Sequence, residues 1–254
     1  MEVVILGCGT SSGVPRVGND WGQCDPANPK NRRRRVSVLV SHERARFLVD
    51  TGPDLREQLL DADVRDIDAV IWTHDHADHS HGIDDLRQLY HVRGRPVTGY
   101  ARHETLESLR ARFAYAFEGK GGYPALVGLN LLPDHMNIAG VSVQAVDQPH
   151  GDITSAGLRF DAGGRSIVYS TDFNELTERM ANRFEGVDLW ILDVLRRRPH
   201  PTHPHLAQAL EWIERLKPKR AVLTHMDNTM DYDTLRAELP EHVEPAYDGM
   251  EIAL

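Results

Sequence analysis

The run Thr73-His74-Asp75-His76-Ala77-Asp78-His79 constrains this chain more than any other stretch. It follows a short apolar segment, Ala69–Trp72, that reads as a buried strand. A strand ending in His-x-His-x-Asp-His delivers four metal-type donors to one loop, where they can converge. Burying several imidazoles and a carboxylate without a cation is costly, so a solvated polar loop is a poor explanation and a metal site a good one. Three further donors stand at the ends of strand-like runs: His150 after Val141–Val146, Asp172 after Ser166–Tyr169, and His225 after Ala221–Leu223. Each alone would pass for an ordinary polar residue. Four strand ends of this kind in one chain argue against coincidence.

Around these donors, short β-rich runs alternate with turns and a few helical stretches. Further strands are predicted at Glu2–Leu6, Ser37–Val40, Arg46–Val49 and Leu189–Leu192, and helices at Pro53–Ala62, Asp84–Tyr90, Glu104–Phe117, Glu175–Asn182, Leu206–Leu216 and Thr234–Leu239. Leu206, Ala209, Leu210, Ile213 and Leu216 form one apolar face, and that helix should stop before Lys217-Pro218. Mixing of this density, with no repeat or linker, predicts α/β layers in one domain over residues 1–254. With 41% hydrophobic and 26% charged residues the chain is globular in composition, and no apolar run is long enough to cross a bilayer. Met1-Glu2-Val3-Val4-Ile5-Leu6 has no basic leader character. Two cysteines against 14 histidines point to a reducing cytoplasm. A net charge of -9 disfavours long nucleic acids as partners, and nothing predicts membrane binding. The one charge run, Arg32-Arg33-Arg34-Arg35, reads either as a solvated loop or as a phosphate-attracting rim. Gly7-Cys8-Gly9-Thr10-Ser11-Ser12-Gly13 lacks dinucleotide-binding spacing and reads as a tight strand-end turn, with Cys8 a small buried hydrophobe.

In order and spacing, His74-x-His76-x-Asp78-His79 with His150, Asp172 and His225 resembles the metallo-β-lactamase superfamily over nearly the whole chain. Asp50-Thr51-Gly52 looks like the Asp-x-Gly turn that supports the ligands from behind. Within the superfamily, Gly9-Thr10-Ser11-Ser12-Gly13-Val14-Pro15 and Tyr247-Asp248-Gly249-Met250-Glu251-Ile252 are similar to segments of the carbon–phosphorus lyase pathway phosphodiesterases, which hydrolyse cyclic ribose phosphates. The tRNA 3′-processing endonucleases Z are similar as well. The resemblance implies an α/β fold, an αββα sandwich with its site at one edge of two facing sheets. It implies two divalent transition-metal ions, Zn or Mn. His74, His76 and His150 would hold one, Asp78, His79 and His225 the other, and Asp172 would bridge them, with a hydroxide shared between the ions as attacking group. The reaction implied is hydrolysis of a small cyclic or nucleotide-like phosphodiester. A lactonase, a thioesterase, or a nucleotide-binding protein without turnover are the alternatives.

By the same resemblance His203, in Pro201-Thr202-His203-Pro204-His205, matches the general acid that protonates the leaving oxygen, with His205 second in line. Asp78 joins His203 in the catalytic set, and Ser12, His203 and His205 are the expected substrate contacts. Two departures stand out. The related phosphodiesterases carry a structural zinc on a cysteine cluster and a further histidine, whereas this chain offers Cys24 alone and Asn228 in the histidine's place, so no structural zinc is expected. The segment 102–132 looks longer than its counterpart, and with Gly119-Lys120-Gly121-Gly122 inside it, it reads either as a flexible lid or as a helix end with a loop. A small phosphate-containing substrate is the expected partner, and a homodimer is compatible with the sequence.

Overall fold

The computed structural model describes all 254 residues. Fourteen strands follow in chain order: β1 Glu2–Gly7, β2 Ser37–His42, β3 Ala45–Val49, β4 Ala69–Trp72, β5 Val97–Ala101, β6 Val127–Leu131, β7 His135–Ile138, β8 Val141–His150, β9 Ile153–Ala162, β10 Arg165–Ser170, β11 Leu189–Asp193, β12 Arg220–Thr224, β13 Val243–Pro245 and β14 Met250–Ala253. Eight α-helices interleave: α1 Leu55–Asp61, α2 Ala77–Ser80, α3 Leu86–Arg93, α4 His103–Arg112, α5 Ala114–Glu118, α6 Glu178–Phe184, α7 Leu206–Leu216 and α8 Tyr232–Glu238. The strands form two seven-stranded sheets, ordered β14-β1-β2-β3-β4-β5-β6 and β13-β12-β11-β10-β9-β8-β7.

Side-chain alternation explains why the sheets stack. Along β2 and β3, Val38, Val40, Phe47 and Val49 face the second sheet, while Leu39 and Leu48 face outward onto the helices. β4 does the same, with Ala69 and Ile71 inward and Val70 and Trp72 outward. Phe47 meets Phe160 of β9 across the interior, ring centroids 5.7 Å apart. Leu55, Leu59, Leu86, Leu89, Leu106 and Leu109 close the outer face of the first sheet, and α6, α7 and α8 bring Met180, Phe184, Ile213 and Leu235 against the second. The result is the four-layer αββα sandwich. No helix is long and apolar enough to cross a membrane.

Local signals account for the boundaries that differ from expectation. The helix expected over 175–182 starts later, at Glu178, because Thr177 caps it by accepting the Met180 N–H. Asp231 likewise starts α8 two residues early by accepting the Thr234 N–H. The helix expected over 104–117 breaks at Phe113, whose backbone leaves the helical region. Strands β5, β6, β7, β9, β13 and β14 lie outside the expected runs; glycine and polar residues dilute the apolar pattern of the first four, β13 and β14 are short and interrupted by Glu, and pairing with neighbours holds them all.

The segment 102–132 packs part of its length into the outer layer. Leu106, Leu109, Ala116, Leu126, Val127 and Leu129 are buried in the outer core, and β6 pairs in parallel with β5 at the sheet edge. Apolar burial and ladder hydrogen bonds anchor its inner side, while Tyr123 and Leu131 are strongly exposed. The arginine run is neither a solvated loop nor one continuous rim. Arg33 is 2% exposed and donates to the carbonyls of Met230 and Asp227, at 2.6 and 3.3 Å. Arg34 pairs with Asp61 and Arg35 with Asp54. Extended backbone turns alternate side chains to opposite sides, which is how neighbours in the run reach different partners.

Candidate metal centre

Every element that ends at the site is a strand pointing its C-terminal end the same way. β4 leads into His74, β8 ends on His150, β10 precedes Asp172, β11 ends on Asp193, and β12 precedes His225. Strands β3 to β6 and β10 to β13 run parallel within their sheets, so their carboxyl ends open one shared crevice, the place where open α/β sheets build sites. The crevice has a volume of about 690 Å³ and is lined by His76, Asp78, His150, Asp172, His203 and His225, among others.

Donor atoms of His74, His76, His150 and Asp172 lie within 4.8 Å of one another, and so do those of Asp78, His79 and His225. Asp172 stands between the two sets. Its Oδ1 is 3.8 Å from His74 Nε2 and 3.6 Å from His150 Nε2, while its Oδ2 is 3.2 Å from His79 Nε2 and 3.6 Å from His225 Nε2. Asp50, Asp172 and His225 adopt left-handed backbone angles, φ of 63°, 56° and 59°. Side chains rarely take this conformation, and three of the eight non-glycine residues that do so in this chain are at the crevice, held there by their surroundings.

Partners behind the imidazoles aim their Nε2 atoms inward. His79 Nδ1 lies 2.8 Å from Asp50 Oδ2, His150 Nδ1 2.9 Å from the Thr202 carbonyl, and His74 Nδ1 3.1 Å from the Thr73 hydroxyl. Asp50 also accepts the Thr73 N–H at 2.8 Å, so one buried carboxylate orients both the ring and the loop. Gly52 makes that close approach feasible: a Cβ there would stand 2.3 Å from the Asp78 carbonyl oxygen. With Nδ1 engaged, His74 Nε2 and His79 Nε2 are buried without any hydrogen-bond partner, as is His225 Nε2. Orphaned nitrogens converging on shared carboxylates are what a cation would satisfy, and this donor set fits divalent transition metals.

Burial and neighbouring charges pull the ionisable groups of the cluster in opposite directions. Burial opposes a charged ring at His79, yet Asp172, Asp78 and Asp50 hold its pKa well above the usual histidine range. Burial likewise opposes charge on His225, and Asp172 and Asp193 push it up to about 9. Burial would raise Asp172, but His225, His79 and His74 hold it well below the carboxylate range. Burial lowers His74. The surrounding carboxylates thus favour positive charge at both the His79 and His225 positions. A folded-state pKa near 9 against about 6.5 unfolded means that His225 stabilises the metal-free fold fully below pH 6.5 and ceases to as pH rises through 9. Metal must also displace the protons on these rings, so it binds more tightly as pH rises. The thermal-midpoint gap between metal-loaded and stripped protein should therefore widen from pH 6.5 to pH 9, as calorimetry would read it; a gap that narrows contradicts this account.

His203 approaches from the far wall, with Nδ1 2.7 Å from Asp193 Oδ2 and its ring stacked 4.8 Å from His225. Asp193 also accepts the Asp172 N–H at 3.0 Å and faces His225 Nδ1 at 3.7 Å. Sequence reasoning missed Asp193, although an acid ending the Leu189–Leu192 run is the same signal that singled out Asp172. His205 does not line the crevice; it occupies the N-cap position of α7 and makes no side-chain cap bond. Ser12 is exposed and lines an adjoining pocket that shares Ser11 and Asp78 with the crevice. Cys8 is fully buried and burial pushes its thiol well up, which suits a core residue. Cys24 is buried with the Arg33 guanidinium 3.8 Å from its sulfur, and Asn228 donates to Asp20.

Fold and crevice together define a metallo-β-lactamase-type protein. The chain belongs to the β-lactamase superfamily: that family's description, Beta-lactamase superfamily domain, matches residues 45–226. It is similar to a crystal structure of a diphosphatase from the PhnP family, at 33% identity and TM-score 0.91, covering 100% of this chain and 97% of that one. It is 32% identical to an octanoyltransferase of Porphyromonas gingivalis over 99% of its own length, but spans only 51% of that protein. Two further structures share the fold. Zn(2+)-bound PqqB from Methylobacterium extorquens does so at 21% identity and TM-score 0.83, covering 100% of both chains. Human tRNase Z, short form, does so at 20% and 0.71, covering 100% and 99%.

Proposed function

We propose that the protein is a dinuclear metal-dependent phosphodiesterase acting on a small cyclic or nucleotide-like phosphate. The observation that carries the reading is Asp172, each of whose carboxylate oxygens faces a different pair of imidazoles. His74, His76 and His150 would hold one ion, Asp78, His79 and His225 the other, and Asp172 both. Zinc or manganese bound there would polarise a phosphoryl oxygen and lower the pKa of an attacking water. The chain's own residues do the rest. Asp50 and Thr202 fix two of the imidazoles, and burial keeps bulk water from His74, His79, His150, Asp172 and His225. His203 carries its Nδ1 proton to Asp193, which leaves Nε2 as the atom that hands a proton to the departing alkoxide. Similarity to a PhnP-family diphosphatase supports phosphate chemistry. The test is a screen of zinc- and manganese-loaded protein against a cyclic ribose phosphate, bis(p-nitrophenyl) phosphate, a lactone and an octanoyl thioester. The thioester is included because one relative, about twice as long, is named octanoyltransferase. Phosphodiesters should be turned over fastest; preference for the lactone or thioester would replace the proposal.

A further inference from the structure

Asp75 sits between two of the proposed ligands, His74 and His76, and helix α4 grips it. The Ser108 hydroxyl donates to Asp75 Oδ2, and Arg112 donates through one Nη to the same carboxylate and through the other to the Asp75 carbonyl, each at 2.6 Å. A two-pronged guanidinium on a carboxylate and its own carbonyl fixes backbone direction as well as position. Both donors belong to the segment 102–132, whose apolar residues are anchored in the outer core. The grip therefore joins a rigid layer to the metal loop.

What depends on the grip is His76. The rings of His74, His79 and His150 each hydrogen-bond through Nδ1 to the protein, and His225 Nδ1 faces Asp193. Neither ring nitrogen of His76 has a partner, and the residue is exposed. Its backbone is held instead, by the Ser80 hydroxyl on its carbonyl at 2.8 Å and by the clamped Asp75 before it. We infer that Ser108 and Arg112 are positioning residues for one metal position only, the one built by His74, His76 and His150, and that α4 thereby sets the affinity of that position. The inference rests on the proposed ligand assignment.

Simple electrostatics predicts the opposite sign. Removing the Arg112 charge near a cation site should tighten cation binding, whereas loss of the clamp should weaken it by roughly 10–100-fold, the range seen when outer partners of metal ligands are removed. The experiment is zinc titration of the stripped full-length protein against a chromophoric chelator, with cobalt spectra as a second readout. Arg112→Met and Ser108→Ala should each weaken one zinc equivalent and leave the other at wild-type affinity, with matching loss of one cobalt band set. Arg112→Lys should recover part of the loss, and Arg110→Met, one charge removed from the same helix outside the clamp, should not weaken either equivalent. Tighter or unchanged binding in Arg112→Met and Ser108→Ala, or equal weakening of both equivalents, overturns the inference. Wild-type protein that binds no zinc instead overturns the ligand assignment beneath it.

Discussion

Replacing His203 with alanine should slow phosphodiesters with poor leaving groups by roughly 10²–10⁴-fold, the usual worth of a positioned general acid. A nitrophenyl phosphodiester, whose leaving group departs without a proton, should suffer far less. The expectation follows from geometry: Asp193 takes the Nδ1 side of the ring at 2.7 Å, so only Nε2 is free to serve substrate. His203 also belongs to a third donor set, with Asp172, Asp193 and His225. Metal analysis of the variant separates the two roles. Unchanged metal with a leaving-group-dependent loss identifies a proton donor, whereas a missing metal equivalent makes His203 a ligand. Equal losses for good and poor leaving groups would mean substrate positioning.

Asp172→Asn should do greater damage. Asparagine tolerates the left-handed backbone at this position, φ 56°, and keeps the side-chain volume, so the change removes charge rather than shape. Four imidazoles then lose the carboxylate they share. The variant should retain at most one metal equivalent and lose more than about 10³-fold in turnover, beyond the 10–100-fold typical of residues that only support ligands. Elemental analysis alongside steady-state rates checks it; two equivalents with near-normal turnover would remove Asp172 from its bridging role.

The donors of this site were legible because each ends a recognisable apolar run, and strand ends are where an α/β sandwich gathers side chains. What escaped was held by contacts distant in sequence. Asp193 acquires meaning from His203, ten residues on across a loop at 2.7 Å, and from the Asp172 N–H and His225 ring that it also faces. Arg112 reaches Asp75 over 37 residues, and nothing in the local pattern of α4 announces it. The buried Arg33 looked like one member of a charge run because its partners are backbone carbonyls nearly 200 residues away. Strands such as β9, Ile153–Ala162, lack an apolar rhythm of their own and owe their form to the long β8 beside them.

The most direct test of the central claim is hydrolysis of bis(p-nitrophenyl) phosphate by one preparation measured three ways: stripped with chelator, reloaded with zinc or manganese, and titrated with substoichiometric metal. The account predicts no turnover when stripped, recovery on reloading, and activity that saturates near two equivalents per chain. Turnover that survives stripping, or full activity with fewer than one equivalent bound, would contradict it.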